Sequence, residues 1–578
     1  MRLHQPAFAT IARRPYVANL WDVLTFGLLF AVLILLAHGG RETLAPLTSL
    51  DVSPVSLDPA MLPEYAVRST MRMLAAIVAS IIFSLAYGAL AAKSRRAEIV
   101  LIPLLDILQS VPVLGFLSFT VVAFMALFPG QVLGVELAAI FAIFTSQAWN
   151  MTFSFYQSLK TLPSDLDEAS RSFRLSTWQR FWRLEVPFAM PGLVWNTMMS
   201  MSGGWFFVVA SEAISVGNTT VALPGIGSYL ALAIEKQSLA AVGWAVLAML
   251  VVILLYDQLL FRPIVAWAEK FRVEQTAAAT VPRSWFLDAV RRARLFRWCL
   301  SPFTAFLQGI PRTRLQLPAE LPSGARAALS SAWADRAWLA LVVAGAAYAV
   351  WLIVSFVMTG LPWSEWVRVF ALGGLTLLRV TVLIALATLI WVPIGVWIGL
   401  RPQLAERVQP LAQFLAAFPA NIVFPFAVVA IVKVDLNPDI WLSFLIILGT
   451  QWYILFNVIA GASAFPSDLK EAAATFRIRG WDWWRKVILP GIFPYYVTGA
   501  ITASGGSWNA SIVAEVATWG NTKLQAHGLG AYIAEATAAG DYPRIVLGIA
   551  VMSLFVVMLN RLLWRPLYAL AASRLRLD

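Results

Sequence analysis

Apolar stretches, each close to the roughly 20 residues that a membrane-crossing helix requires, alternate with polar connections along the whole chain. Stretches near 20–38, 71–92, 99–127, 134–158, 187–211 and 239–261 predict six spans in the first half. Those near 337–358, 371–400, 409–432, 440–462, 491–515 and 544–565 predict six more in the second. The expected fold class is an all-α polytopic membrane protein of about 12 transmembrane helices. Pro103, Pro112, Pro393 and Pro419 fall inside these stretches, where neighbouring helices can re-satisfy the interrupted backbone. The first stretch follows Arg13 and Arg14 and has the layout of a signal peptide or of an anchor. The matching stretch at 337–358 cannot be a signal, which favours an uncleaved anchor.

The two halves repeat one another. At an offset of 303 residues, Pro163-Ser164-Asp165-Leu166 matches Pro466-Ser467-Asp468-Leu469, and Glu168-Ala169 matches Glu471-Ala472. Phe173-Arg174 matches Phe476-Arg477, Trp205 matches Trp508, and Glu212 matches Glu515. Gly217-Asn218-Thr219 matches Gly520-Asn521-Thr522, and Gly225 and Gly227 match Gly528 and Gly530. Nearer each N-terminus the offset is 307, pairing Arg72 with Arg379 and Pro112 with Pro419. An even number of spans in each copy gives both the same orientation, so the axis relating them runs along the membrane normal. The expected domains are a first repeat at 1–269 with a loop at 160–187, a linker at 270–335, and a second repeat at 336–578 with a loop at 463–490.

Charge orients the spans. Arg13/Arg14, Lys93/Arg95/Arg96, the 160–183 loop, the 262–336 linker, Arg401/Arg407, the 470–486 loop and the Arg574/Arg576 tail all fall on one side. The intervening loops are poor in basic residues, which makes the basic side, with both termini, cytoplasmic. The formal charge of +12 therefore reads as topology, and no nucleic-acid partner is expected. Of 578 residues, 60% are hydrophobic and 13% charged, against about a quarter charged in soluble proteins. One cysteine and three scattered histidines argue against a disulfide framework and a Cys/His metal site. The linker reads as a solvated connector or as carrying an amphipathic helix near 286–300 on the membrane surface.

The loop after the fourth span of each copy is the longest repeated connection. In the second copy Ser467 is placed to cap a helix, with Asp468 and Glu471 in its first turn. Leu469, Ala472, Ala473 and Phe476 share one apolar face. A second short helix carries Trp481 and Trp484 beside Arg485 and Lys486. The first copy repeats the plan with Ser164, Asp165, Glu168, Phe173, Trp178 and Phe181. Such a helix suits a knob for a cytoplasmic groove or an element buried among lipid headgroups, and the residues alone leave both open.

Glu471-Ala472-Ala473 followed by Ile488-Leu489-Pro490, and more loosely Glu168-Ala169-Ser170 followed by Glu185-Val186-Pro187, resembles the coupling segment of ABC-importer permeases. Both copies depart at the family's usual glycine, which is Arg174 and Arg477 here. The resemblance implies the type I importer fold, placed in a bacterial inner membrane. It implies that Asp165, Glu168, Ala169, Phe173 and Arg174, with Asp468, Glu471, Ala472, Ala473, Phe476 and Arg477, contact a separate ATPase dimer. That partner would bind ATP and magnesium. This chain has no Gly-Lys dipeptide and so no phosphate-binding loop of that kind; no cofactor and no enzymatic activity are expected of it. A substrate-binding protein on the far side is the second implied partner, and membrane lipid the third.

The Glu212…Gly225-Ile-Gly227 and Glu515…Gly528-Leu-Gly530 patterns resemble permeases of the nitrate, sulfonate, taurine and bicarbonate group, of which duplicated single-chain versions exist. The implied substrate is a small anion. Asn196, Ser200, Ser202 and Ser211, with Thr498, Thr502, Ser504, Ser507, Asn509 and Ser511, are pathway candidates or interhelical packing residues. Glu212 and Glu515 read as gate or structural residues, paired with the Asn-Thr loops. Arg72 and Arg379 are the first cations to test for anion contact, against snorkelling to the interface. The alternatives are a fused permease for ferric iron or sulfate, and an ion-coupled transporter, for which Asp106 and Asp257 are the few carboxylates near spans.

Overall fold

The computed structural model describes residues 55–216, 219–271, 284–293, 309–313, 332–463 and 465–574, with isolated positions outside those ranges. Most of the expected span at 20–38, much of the linker, and the part of its expected amphipathic helix beyond 293 lie outside the described residues; the helix Trp285–Arg292 is the described part of the latter. The first repeat runs α1 (Leu62–Lys93), α2 (Arg95–Ser110), α3 (Val113–Leu127), α4 (Val132–Lys160), α5 (Ser164–Ser172), α6 (Val186–Glu212), α7 (Ile226–Glu235) and α8 (Leu239–Tyr256). The second runs α9 (Ala332–Gly360), α10 (Trp363–Gly399), α11 (Pro402–Ala417), α12 (Phe424–Val434), α13 (Gln451–Ser463), α14 (Ser467–Thr475), α15 (Leu489–Ala514), α16 (Leu529–Ala539) and α17 (Tyr542–Leu559).

Among the described residues, seven helical rods are long and apolar enough to cross a membrane: 59–93, 132–160, 239–268, 335–360, 363–399, 481–514 and 542–571. Three expected spans are broken, which corrects the reading of 99–127, 409–432 and 440–462 as continuous. The pair α2 and α3 bends by 94°, α11 and the segment to Val434 by 76°, and the segment Pro438–Leu448 and α13 by 42°. Two breaks sit at Pro112 and Pro419. The proline ring excludes its predecessor from the helical region, and Val111 and Phe418 are accordingly extended, with ψ of 125° and 124°. Pro103 and Pro393 remain inside α2 and α10. α6 has 27 residues, enough in length to cross, although it is not among the seven.

Among the described residues, two short hairpins stand beside the helices. A two-stranded antiparallel hairpin follows α6, with β1 (Ala213–Val216) on β2 (Thr219–Ala222). Another follows α15, with β3 (Val516–Trp519) on β4 (Thr522–Gln525). Trp519 pairs with Thr522, leaving a two-residue loop whose first residue, Gly520, has φ +55°. That is the conformation a type II′ turn requires, and it favours glycine. Gly520-Asn521 is thus the turn of the second hairpin.

The chain packs as two compact units whose borders do not follow the repeats: 1–42 with 158–195 and 255–323, and 43–157 with 196–254 and 324–578. In the second unit α10 packs on α13 and α15. Gly395 and Gly399 lie so close to Val458 and Ala462 that a Cβ there would clash, as expected where small residues let membrane helices approach.

Two contacts in this unit join the repeats in a pseudo-twofold manner. The Asn509 side-chain oxygen accepts from the Val113 amide at 2.8 Å, just after the Pro112 break. The Asn421 side-chain amide, just after the Pro419 break, donates to the Phe206 carbonyl at 3.3 Å. Phe206 and Asn509 are themselves equivalent at the offset of 303. Each break is therefore seated on the C-terminal part of the other copy's fifth-span helix. Asn509→Ala orphans the Val113 amide and should cost about 1–3 kcal/mol, whereas Thr502→Ala, whose hydroxyl bonds only its own helix at Thr498, should change little. Thermal unfolding of the two purified variants measures the difference.

Candidate functional site

Each loop helix begins directly after a proline, Pro163 or Pro466, which itself takes the N-cap position. Ser164 and Ser467 are the first helical residues, so the expected Ser467 cap is not formed. Both helices end alike. Arg174 donates to the Arg171 carbonyl at 2.9 Å and Leu175 to the Ser170 carbonyl at 3.2 Å; Arg477 donates to Ala474 at 3.0 Å and Ile478 to Ala473 at 2.9 Å. This is the Schellman arrangement, whose C′ residue is left-handed and usually glycine. Arg174 and Arg477 hold φ of +50° and +52°. Arginine thus stands in each loop at the left-handed position that glycine usually takes.

The exposed face of each helix carries the expected docking residues. Asp165, Glu168 and Ala169 are exposed in the first loop, as are Glu471 and Ala472 in the second. Phe173 is 79% exposed and Phe476 77%. Ala473 departs from the expected set: it is buried, as is its equivalent Ser170, and anchors the helix. Asp468 is the second residue of α14.

The loops differ in bracing. In the first, Arg180 forms ion pairs with Asp167 at 2.6 Å and Glu185 at 3.2 Å. Ser176 and Gln179 make a capping box there, and Arg183 donates to the Pro311 carbonyl of the linker at 3.1 Å. The second has Trp483 and Ile488 where the first has Arg180 and Glu185, and so lacks that network.

At the other end of α6 lies a buried charge cluster. Arg72 on α1 grips Glu136 on α4 with two parallel bonds, 2.6 and 2.7 Å. Its remaining nitrogen reaches Glu212 at 2.7 Å and the Pro224 carbonyl at 3.0 Å. Glu212 also accepts from Ser69 at 2.6 Å and from the Gly227 amide at 2.7 Å, at the start of α7, where the helix dipole favours negative charge. The second repeat rebuilds the cluster. Arg379 contacts Asp439 at 3.0 Å and Glu515 at 3.3 Å and donates to the His527 carbonyl. Glu515 accepts from Thr376 at 3.0 Å and from the Ala531 amide at 3.0 Å.

Glycine explains itself here. A Cβ on Gly225 or Gly528 would strike the Glu212 or Glu515 carboxylate, and one on Gly227 or Gly530 would strike the α6 or α15 backbone. Neither arginine snorkels, since both lie among these carboxylates. Glu515 bonds to Thr376, Arg379 and Ala531 rather than to the expected Asn521-Thr522 turn. Asn218 lies outside the described residues. Sequence reading missed Glu136 and Asp439 as the second partners, although they too are 303 residues apart. The second copy is the looser: Asp439 is 39% exposed and holds His527 Nδ1 at 3.0 Å.

Most pathway candidates are engaged in packing bonds. Asn196 donates to Ser154 at 2.9 Å, Asn150 to Ser200 at 3.1 Å, and Ser507 lies 2.9 Å from Thr450. Ser202, Ser211, Thr498, Thr502 and Ser511 bond back to their own helices, and Ser504 is buried. Asp257, considered for an ion relay, pairs with Arg262 at 3.0 Å; the Asp106 side chain lies outside the described residues.

A family model described as the binding-protein-dependent transport system inner membrane component matches residues 80–262 and again 391–576. The chain belongs to this family. One match falls in each repeat, so it is a duplicated, multi-pass membrane permease. Stretches of it are 29% identical over 187 residues to a nitrate import permease of Leptolyngbya laminosa, covering 32% of this chain and 63% of that protein. They are 30% identical over 186 residues to a bicarbonate transport system permease of Synechococcus elongatus, covering 32% and 64%. They are 31% identical over 183 residues to a glycine betaine/proline betaine transport system permease of Escherichia coli, covering 32% and 48%. The chain thus spans just under two thirds of the length of the first two relatives. Their names lend nothing to the ferric-iron or sulfate alternative.

Removing the arginine from each cluster separates the two copies energetically. Arg72→Met leaves Glu136 and Glu212 buried without their cation and should cost about 3–5 kcal/mol. Arg379→Met should cost less, because Asp439 reaches solvent and keeps His527 beside it. Paired thermal unfolding curves for the two variants check the order.

Proposed function

We propose that this permease is the membrane subunit of an ATP-driven importer, both termini cytoplasmic, whose two repeats form the route for a small anion of the nitrate or bicarbonate kind. A separate ATPase pair engages the α5 and α14 loops, and a substrate-binding protein delivers the anion from outside. ATP and its magnesium belong to the ATPase. The observation that carries the reading is the pair of short, stiffly capped helices, each presenting an acidic residue and an unburied phenylalanine. An exposed phenylalanine next to a glutamate, repeated at one register, has the chemistry of a knob for a protein groove.

The anion assignment is supported by the relatives named for nitrate and bicarbonate and by the Glu…Gly-x-Gly pattern. The structure assigns Arg72 and Arg379 to their carboxylates, so in this reading they shape the outer end of the route and do not bind the anion. The wider docking set remains Asp165, Glu168, Ala169, Phe173 and Arg174 in one loop and Asp468, Glu471, Ala472, Phe476 and Arg477 in the other.

The test is association with candidate ATPases. Glu168→Arg combined with Glu471→Arg should abolish co-purification of the ATPase while membrane insertion stays normal. Normal recovery of the ATPase with the double variant overturns the docking assignment. For the substrate, ATPase stimulation should follow binding proteins loaded with nitrate, bicarbonate or a sulfonate; stimulation by glycine betaine alone overturns the anion reading.

A further inference from the structure

A cavity of about 320 Å³ lies in the second repeat between α10 and the start of α15, walled by Thr388, Val392, Leu489, Phe493 and Tyr496 and edged by Arg485. Its interior is apolar. Its two hydroxyls are already paired: Thr388 donates to the Ile384 carbonyl at 2.7 Å and lies 3.1 Å from the Tyr496 hydroxyl. The adjoining surface of α10 is that of a helix facing lipid, with Leu389, Ile390 and Trp397 all more than half exposed. Arg401 sits over the Trp397 ring at 4.7 Å, a pairing typical of the membrane–water boundary. Arg485 is exposed and makes no hydrogen bond or ion pair with any described residue, whereas its neighbour Lys486 pairs with Asp482 at 3.1 Å. An uncommitted guanidinium above an apolar cleft at a membrane boundary complements an amphiphile with an anionic head.

We propose that this cleft holds one anionic phospholipid, its phosphate on Arg485 and part of an acyl chain between α10 and α15. The first repeat offers no equivalent: Ile81, Trp182 and Leu193 stand where Thr388, Arg485 and Tyr496 stand in the second. Leu489 and Pro490, which line the cleft, also join the α14 loop to its membrane helix. A lipid seated there braces the second loop, which lacks the ion-pair network of the first. Placing the lipid in the cytoplasmic leaflet rests on the orientation proposed above; the cleft and its cation do not.

The experiment is native mass spectrometry of the full chain released from bilayers of equal phosphatidylglycerol and phosphatidylcholine. Wild type should retain phosphatidylglycerol over phosphatidylcholine by about fivefold, the scale of one basic contact. Arg485→Gln should bring the ratio close to one, while Lys486→Gln leaves it unchanged. Val392→Phe, which narrows the apolar part, should lower retention of both lipids; a site for free phosphate would be indifferent to it. Equal loss with Arg485→Gln and Lys486→Gln reports only general surface charge and overturns the proposal, as does a wild-type ratio of one. These readouts involve no ATPase, so their failure is separable from failure of the importer reading.

Discussion

An arginine placed between two carboxylates inside a membrane protein has few acceptable surroundings. Each charge loses its water, and the loss is tolerable only if every donor and acceptor is met. Arg72 meets this condition by drawing four pieces of chain to one point: α1, α4, the end of α6 and the start of α7. Arg379 does the same for α10, the short helix at Asp439, the end of α15 and the start of α16. Much of the surrounding sequence follows from that demand. The glycines at 225 and 528 make room for the carboxylates, Ser69 and Thr376 supply a hydroxyl, and the hairpins return the chain so that a helix N-terminus faces the glutamate.

The same rods carry the other functional feature at their opposite ends. α15 begins at the second docking loop and ends at Glu515. α15 therefore joins the α14 loop to a helix end held by the Arg379–Glu515 pair. The second repeat has the less braced loop and also the more open cluster. Both differences fall in one copy, an asymmetry that a duplicated chain can hold and a symmetric pair of identical subunits cannot.

The sequence carried the repeat, most of the spans and the paired loop helices legibly, because hydrophobic length and the spacing of Pro, Gly, Trp and Glu are local signals. Three features were illegible for physical reasons. Pro112 and Pro419 bend the chain sharply while Pro103 and Pro393 do not; what surrounds a proline decides between them, and sequence alone does not hold that. The partners of Arg72 and Arg379 lie on other helices, so Glu136 and Asp439 were findable only as two acids sharing the 303-residue register. The turn that ends each loop helix was sought through a glycine, whereas its left-handed position is held by Arg174 and Arg477.

The most direct measurement of the central claim is a double-mutant cycle in each repeat, pairing Arg72→Met with Glu212→Gln and Arg379→Met with Glu515→Gln, read by unfolding of the purified chain. If the clusters fix the ends of the fifth-span helices, each pair should show a coupling energy of about 2 kcal/mol or more, near the upper end for residues in contact. Additive effects in both repeats would contradict the account.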